Sequence, residues 1–493
     1  MNSRWERLWN IIAWGSAFLF LGLMGVAVSG RLFYPFELEW QEGAMVVHVL
    51  RVLSGRPLYV PPSPEFVPFI YPPGYFYVSA GLAHLIGPGF LALRLVSLVS
   101  TLFLLTLAGY AAYRETGEAS AAAVAVALLA ASYRFNGTWF DVGRVDALFL
   151  ALAFGGIVLL RSAEGLGRQI PAALLLTGAF LTKQTSALLI FPLYVYILAS
   201  ERKRALPFLL GLPLLMGGSV LYFHLHTGGW FTYYVFRLPT GHAFLPRMVG
   251  RFWAHDIMPH FLLALLGAVG WLILEGIRGR KERVGFWGAL FAGLVGGAWL
   301  GRVHEGGYLN VLMPAHLALA LGLGMLAGWT TRGLRRPLVR WGIRGLILLQ
   351  LLMVLYNPLP LRPPARNIAA GYHLLDVLLH IRGDILIPYH GYLAEMAGKR
   401  SFAHEMAVSD VLRGDPEGWG GVLDRAYRDA IRSGRFDAIV LDWEHWRYER
   451  DVEVAYQGPI SLFREERVFW PVTGFRTRPQ YLYFRETLLA HMR

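Results

Sequence analysis

Apolar residues in this chain come in long runs separated by short polar connections rich in arginine. A helix needs about 20 mostly apolar residues to cross a bilayer. Runs that meet or approach that length lie at 11–30, 89–113, 118–135, 145–161, 170–182, 184–200, 206–225, 259–277, 284–300, 311–329 and 343–356. A further apolar stretch covers 72–88. Beyond 357 the runs shorten. There Asp384-Ile385-Leu386-Ile387-Pro388 and Phe436-Asp437-Ala438-Ile439-Val440-Leu441 predict strands, with a helix near 421–433 between them. The Pro-rich stretch 357–364 is the natural linker. The pattern therefore predicts a mainly α, polytopic transmembrane bundle over 1–356 and a small α/β domain over 357–493. The first run ends Ala27-Val28-Ser29-Gly30, which faintly resembles a cleavage site. Its apolar core is long for a signal peptide, so an uncleaved anchor is expected.

Composition agrees with the bundle. Of 493 residues, 55% are hydrophobic and 16% charged. A soluble domain carries about 25% charged residues, so a soluble enzyme, a fibrous protein and a disordered chain are excluded. The net charge of +13 lies wholly in the first 356 residues, while 357–493 is neutral and charge-rich. Arginines strung between apolar helices point to loops facing an anionic membrane leaflet, not to nucleic acid. With no cysteine, disulfides and thiolate metal sites are out.

The connecting charges also set the threading. If 72–88 does not cross and the N-terminus is cytoplasmic, the inside loops gather Arg4, Arg7, Arg114, Arg161, Arg168, Arg202, Lys203 and Arg204. The 278–283 cluster, Arg332, Arg335, Arg336, Arg340 and Arg344 join them. If 72–88 crosses, every later basic loop moves outside. The positive-inside rule thus predicts 11 crossings, with 72–88 lying at the outer interface or re-entrant. Segments 31–88, 136–144, the Lys183 turn, 226–258, 301–310 and 357–493 then face outward.

Those outer segments hold the candidate chemistry. Loop 31–88 contains Glu37, Glu39 and Glu42 within six residues, followed by Gly55-Arg56-Pro57 and Tyr71-Pro72-Pro73-Gly74. A carboxylate near the membrane surface can be shifted by desolvation or act as a base. Several together could hold a divalent cation, or could be ordinary solvated acids. Arg144 and Asp146 open the 145–161 helix, where an ionisable residue at membrane depth is a functional candidate or a structural ion pair. Lys183 sits between two short helices, where it could grip a phosphate or snorkel to the interface. Arg302, His304, Glu305, Tyr308 and Asn310 cluster in 301–310, and Arg237, Arg247, Arg251, His255 and Asp256 in 226–258. No metal-ligand spacing, P-loop or nucleophile elbow appears in a credible context.

The order of these features resembles the GT-C class of integral-membrane glycosyltransferases, in the branch of the protein O-mannosyltransferases and the aminoarabinose transferase of lipid A. The resembling residues are Glu42-Gly43, Arg51-Val52-Leu53-Ser54-Gly55-Arg56-Pro57-Leu58-Tyr59, Tyr71-Pro72-Pro73, Arg94, Arg144-Val145-Asp146 and Lys183-Gln184-Thr185. The likeness implies transfer of a sugar from a polyprenyl-phosphate donor to a lipid, glycan or protein acceptor outside, with inversion. It implies a first-loop carboxylate as base, carrying that role to Glu42 with Glu39 as second candidate. Asp146 would be the second acidic position, and Lys183, Arg144 and Arg302 would neutralise the leaving phosphate. Tyr71, His304, Glu305 and Asn310 are candidate substrate contacts. No cofactor is demanded, and a divalent metal stays open. The chain departs from the family in reading Gln41-Glu42 where an Asp-Glu pair is common, and in lacking a charge before Pro72. A lipid-linked saccharide transporter or flippase, or a non-catalytic envelope assembly factor, are the alternatives.

Overall fold

The computed structural model describes residues 3–162, 165–201, 205–333, 336–443 and 445–485. Arg202, Lys203, Arg204 and Arg335, counted above among the basic loops, lie outside the described residues. Helix α1 (Ser3–Ser29) is the N-terminal apolar run. Two short helices follow within the first loop, α2 (Glu42–Leu53) and α3 (Gly74–Ile86). At 13 residues α3 spans about 20 Å at 1.5 Å per residue. The apolar 72–88 stretch thus holds one short helix. The loop reading of 42–53 is corrected, because these residues coil into α2.

The bundle continues with α4 (Phe90–Thr116), α5 (Ala119–Ala131), α6 (Val145–Arg161), α7 (Leu166–Thr182), α8 (Ser186–Ser200) and α9 (Leu206–His226). Segment 226–258, expected as a loop, is mostly helical: α10 (Trp230–Thr232) runs through a π-turn into α11 (Leu238–Thr240). Then α12 (Pro246–Arg251) passes through a second π-turn into α13 (Met258–Ile277). Pro246 at the first helical turn costs no hydrogen bond, since that N–H would be unpaired in any helix. Helices α14 (Lys281–Val303), α15 (Met313–Gly333) and α16 (Pro337–Met353) complete it. Among the described residues six helical segments are long and apolar enough to span a membrane, so the protein is an integral multi-pass membrane protein. The other expected spans are helices of 13 to 17 residues.

Helix α15 is the hub, with 94% of its apolar window buried, packed by α5, α13, α14 and α4. Small residues make this packing close. An added Cβ at Gly324 would lie 2.6 Å from the Ala121 carbonyl of α5, and one at Gly156 of α6 3.0 Å from the Ala172 carbonyl of α7. Such approaches hold apolar helices together where lipid offers no hydrophobic drive.

After α17 (Ala365–His380) the C-terminal segment holds β1 (Ile385–Leu386), α18 (Tyr392–Met396), α19 (Glu405–Gly414), α20 (Gly421–Arg432) and β2 (Ala438–Leu441). Helix α21 (Glu449–Ala455), β3 (Gln457–Ser461) and β4 (Tyr481–Phe484) follow. The sheet order is β1-β2-β4-β3, parallel between β1 and β2 and antiparallel elsewhere. The expected strands and the helix between them are present, whereas β3 and β4 were unforeseen. This segment is not a detached globule. One apolar core joins Trp40, Met45, Phe69 and Phe76 to Leu386, Phe402, Tyr427 and Ile439. A second joins Phe36 and Leu38 to Leu374, Ile387 and Phe469.

Candidate active site

The polar residues of the first loop sit where α2, α4 and α6 meet the C-terminal segment. Segment 132–144 connects α5 to α6 as a mostly buried irregular turn with Gly137 and Thr138 at positive φ. Buried backbone must find partners, and Arg31 supplies several. It donates to Thr138 Oγ1, the Thr138 carbonyl and both oxygens of Asp141, at 2.7–3.1 Å. Tyr133 donates a further bond to Asp141. This framework fixes Trp139 and Arg144 at the head of α6.

Glu42 is fully buried and accepts four bonds. Arg94 Nε and Nη2 reach Oε1 and Oε2 at 2.8 and 2.7 Å, and the Leu38 and Gly143 amides add 2.9 and 2.8 Å. Arg94 also holds the carbonyls of Arg31, Tyr34 and Phe36. The pair thus staples the first loop to α4.

Glu39, 1% exposed, is held less completely. Its Oε2 accepts from Arg144 Nη1 at 2.8 Å and from the Gln41 amide at 3.2 Å. Burial pushes this carboxyl up to about 7, with Arg144 opposing the rise and the Glu42 charge adding to it. Arg144 Nη2 donates to the Tyr71 hydroxyl at 3.0 Å, and its guanidinium lies 5.7 Å from the Tyr71 ring and 5.8 Å from that of Trp139.

Beside this pair lies a second one. Lys183 Nζ, in the turn between α7 and α8, meets Asp146 Oδ1 at 2.6 Å. Asn310 Nδ2 donates to the same oxygen at 3.0 Å, and Trp139 Nε1 to Oδ2 at 2.8 Å. Asp146 occupies the first turn of α6, where the helix dipole favours a negative charge. The structure thus brings together Glu39, Arg144, Tyr71, Asp146, Lys183 and Asn310, with Glu42 one layer behind.

Arg302, expected among them, is bound elsewhere, to Asp256 at 2.7 Å and the Gly307 carbonyl. His304 and Glu305 lie at a seam with the C-terminal segment. His304 contacts the Pro239 carbonyl, and Glu305 pairs with Arg413 at 3.1 Å. The three first-loop acids do not converge on a shared cation site, since Glu42 turns to Arg94, Glu39 to Arg144 and Glu37 to His390. Among the described residues no group of three His, Asp or Glu has an arrangement fit for a metal ion.

Sequence reasoning missed the contribution from the far end of the chain. The Val472 and Thr473 amides donate to the Leu38 carbonyl, and Thr473 Oγ1 to the Gly137 carbonyl. Gly474, at φ +80°, packs so closely that an added Cβ would lie 2.7 Å from Glu39 Cγ. His390 bridges Glu37 and Asp442 with its two ring nitrogens, His390 and Asp442 being buried and Glu37 part-buried. Burial disfavours the charged ring, but Asp442 and Glu37 outweigh it and lift His390 to about 10.

A family model described as dolichyl-phosphate-mannose-protein mannosyltransferase matches residues 71–224, the stretch from Tyr71 through Lys183. No curated protein matches the chain. The crystal structure of ArnT from Cupriavidus metallidurans in the apo state aligns with a TM-score of 0.61 at 12% identity, covering 95% of this chain and 97% of that one. The structure of ArnT from the same organism bound to undecaprenyl phosphate aligns with a TM-score of 0.56 at 12% identity, covering 98% of each. Along almost its whole length the chain has the fold of ArnT.

Proposed function

We propose that this protein transfers a sugar from a polyprenyl-phosphate donor to an acceptor at the outer face of the membrane, with inversion. The observation that carries the reading is the pairing of Glu39 with Arg144 beside the Asp146–Lys183 pair. Glu39 is the base in this reading, and Glu42 is assigned to the scaffold because its four bonds leave it little capacity for a further proton. The solved ArnT complex with undecaprenyl phosphate supports the donor class.

In the reaction the acceptor hydroxyl oxygen attacks the anomeric carbon while its proton passes to Glu39. The bond from that carbon to the phosphate oxygen breaks, and the lipid phosphate leaves with the electron pair. With Glu39 and Asp146 ionised, the two acids balance Arg144 and Lys183. Protonating Glu39 gives the cluster a net charge of +1 as the phosphate gains a negative charge. The proton transfer and the departure therefore assist each other electrostatically. Tyr71 and Asn310 orient the groups through Arg144 and Asp146. The threading that suits this chemistry has 11 crossings, a cytoplasmic N-terminus, and the 357–493 segment outside over the 1–356 module.

The test is donor consumption by the purified protein, supplied with a panel of radiolabelled polyprenyl-phosphate sugars and an envelope extract as acceptor source. Turnover by the wild type that Glu39→Gln abolishes supports the reading. Tight donor binding with no turnover in any extract overturns it in favour of transport or assembly.

A further inference from the structure

Helices α4 and α6 each carry the acidic cluster at one end and a basic pocket at the other. Arg94 and Asp146 stand near their beginnings, Arg114 and Arg161 at their ends. The pocket is a cavity of about 260 Å³ lined by Tyr110, Arg114, Glu115, Arg161, Arg283 and Trp287, among others. That is several times the ~30 Å³ share of one water.

Its charges do not balance internally. Both oxygens of Glu115 are engaged, Oε1 by Arg161 at 2.8 Å and Oε2 by Arg283 at 3.1 Å. Arg114 turns to a neutral partner, donating to the Tyr110 hydroxyl at 2.8 Å. The adjoining carboxylate, Glu275, is shared by Arg280 and Arg283 at 3.1 and 3.0 Å and approached by Arg278 at 3.9 Å. Among the described residues that line the pocket, three guanidinium groups thus face one carboxylate. Arginine presents a planar fork that matches phosphate oxygens, and a basic pocket between transmembrane helices is suited to an anionic lipid headgroup.

We propose that this pocket binds a phosphate oxyanion, supplied by a phospholipid headgroup or by free phosphate, on the face of the membrane opposite the acidic cluster. The bound oxyanion completes the coordination of Arg114, Arg161 and Arg283 and ties the ends of α4, α6 and α14 together. This inference does not rest on the proposed reaction.

The test uses the full chain in a neutral detergent, titrated with short-chain phosphatidylglycerol and with uncharged diacylglycerol, bound lipid being counted by native mass spectrometry. Phosphatidylglycerol should bind at least tenfold more tightly than diacylglycerol. Arg114→Gln should erase that preference, Arg114→Lys should restore part of it, and Arg400→Gln, exposed on the C-terminal segment, should leave it unchanged. Arg114 is exposed, so an unchanged melting temperature separates lost binding from lost folding. Displacement of the lipid by millimolar inorganic phosphate would identify free phosphate as a source, and resistance to it would identify the headgroup; both support the site. Equal binding of the two lipids, or wild-type preference in Arg114→Gln, overturns it.

Discussion

Arg94 and Glu42 face each other from α4 and the first turn of α2 with both side chains at 0% exposure, joined by two bonds of 2.8 and 2.7 Å. Removing one partner of a buried pair leaves the other charged without compensation, at a cost of about 3–5 kcal/mol. Glu42→Ala should therefore lower the melting temperature sharply and reduce the yield of folded protein. Glu39→Gln keeps an acceptor for Arg144, so it should lower the melting temperature less than Glu42→Ala while slowing transfer by about 10²–10⁴-fold. A thermal scan and a single-turnover assay on both variants check the contrast.

Glu39 must be ionised to accept a proton, and burial holds it at about 7. The rate of a single turnover should rise with pH through about 7 and then level off. Arg144 opposes the upward shift, so removing its charge lets the Glu39 value climb. In Arg144→Gln the rising limb should move to higher pH along with the loss of rate. A limb that stays in place would assign the titration to another group.

Lys183 and Asn310 share Asp146 Oδ1. Replacing a charged hydrogen-bonding group removes about 1.5–3 kcal/mol of interaction, against about 1 kcal/mol for a neutral one. Lys183→Met should raise the donor KM roughly tenfold to hundredfold, and Asn310→Ala by about fivefold. Initial rates over a donor titration separate the two.

How far the sequence announced this site depends on which residue is considered. Lys183 and Asp146 were legible because a charge among apolar runs stands out, but the ion pair expected was Arg144 with Asp146, whereas Arg144 meets Glu39 and Asp146 meets Lys183. The three glutamates were legible as a group, but their roles were not. Which one meets Arg94 and which meets Arg144 depends on how α2 turns, and Glu42–Leu53 lacks the polar stripe that would have marked it as a helix. Arg302 looked available as a phosphate contact until α12 and its π-turn brought Asp256 beside it. Gly474 and His390 carry no local signal, since their importance comes from packing against residues more than 350 positions away.

His390 holds its charge between Glu37 and Asp442. A histidine raised to about 10 stabilises the folded state fully below its unfolded value of about 6.5, and that contribution disappears as pH rises through about 10. The C-terminal segment should become more sensitive to protease between pH 8 and 10.5 in the wild type. His390→Gln should be sensitive at neutral pH already and change little over the same range. Limited proteolysis at matched ionic strength reads this directly.

The contact of Val472 and Thr473 with Leu38 has a temporal meaning. These residues are separated by more than 430 positions, so at about 5–20 residues per second of synthesis Leu38 emerges roughly 20 to 90 s before the segment that will cover it. During that interval the acids of the first loop lack Gly474, His390 and the apolar contacts around Leu386, Phe402 and Phe469. A chain cut after the last transmembrane helix would lack the Gly474 backbone that packs against Glu39. Burial raises the proton affinity of that carboxyl, and part of that burial comes from the last residues to be made.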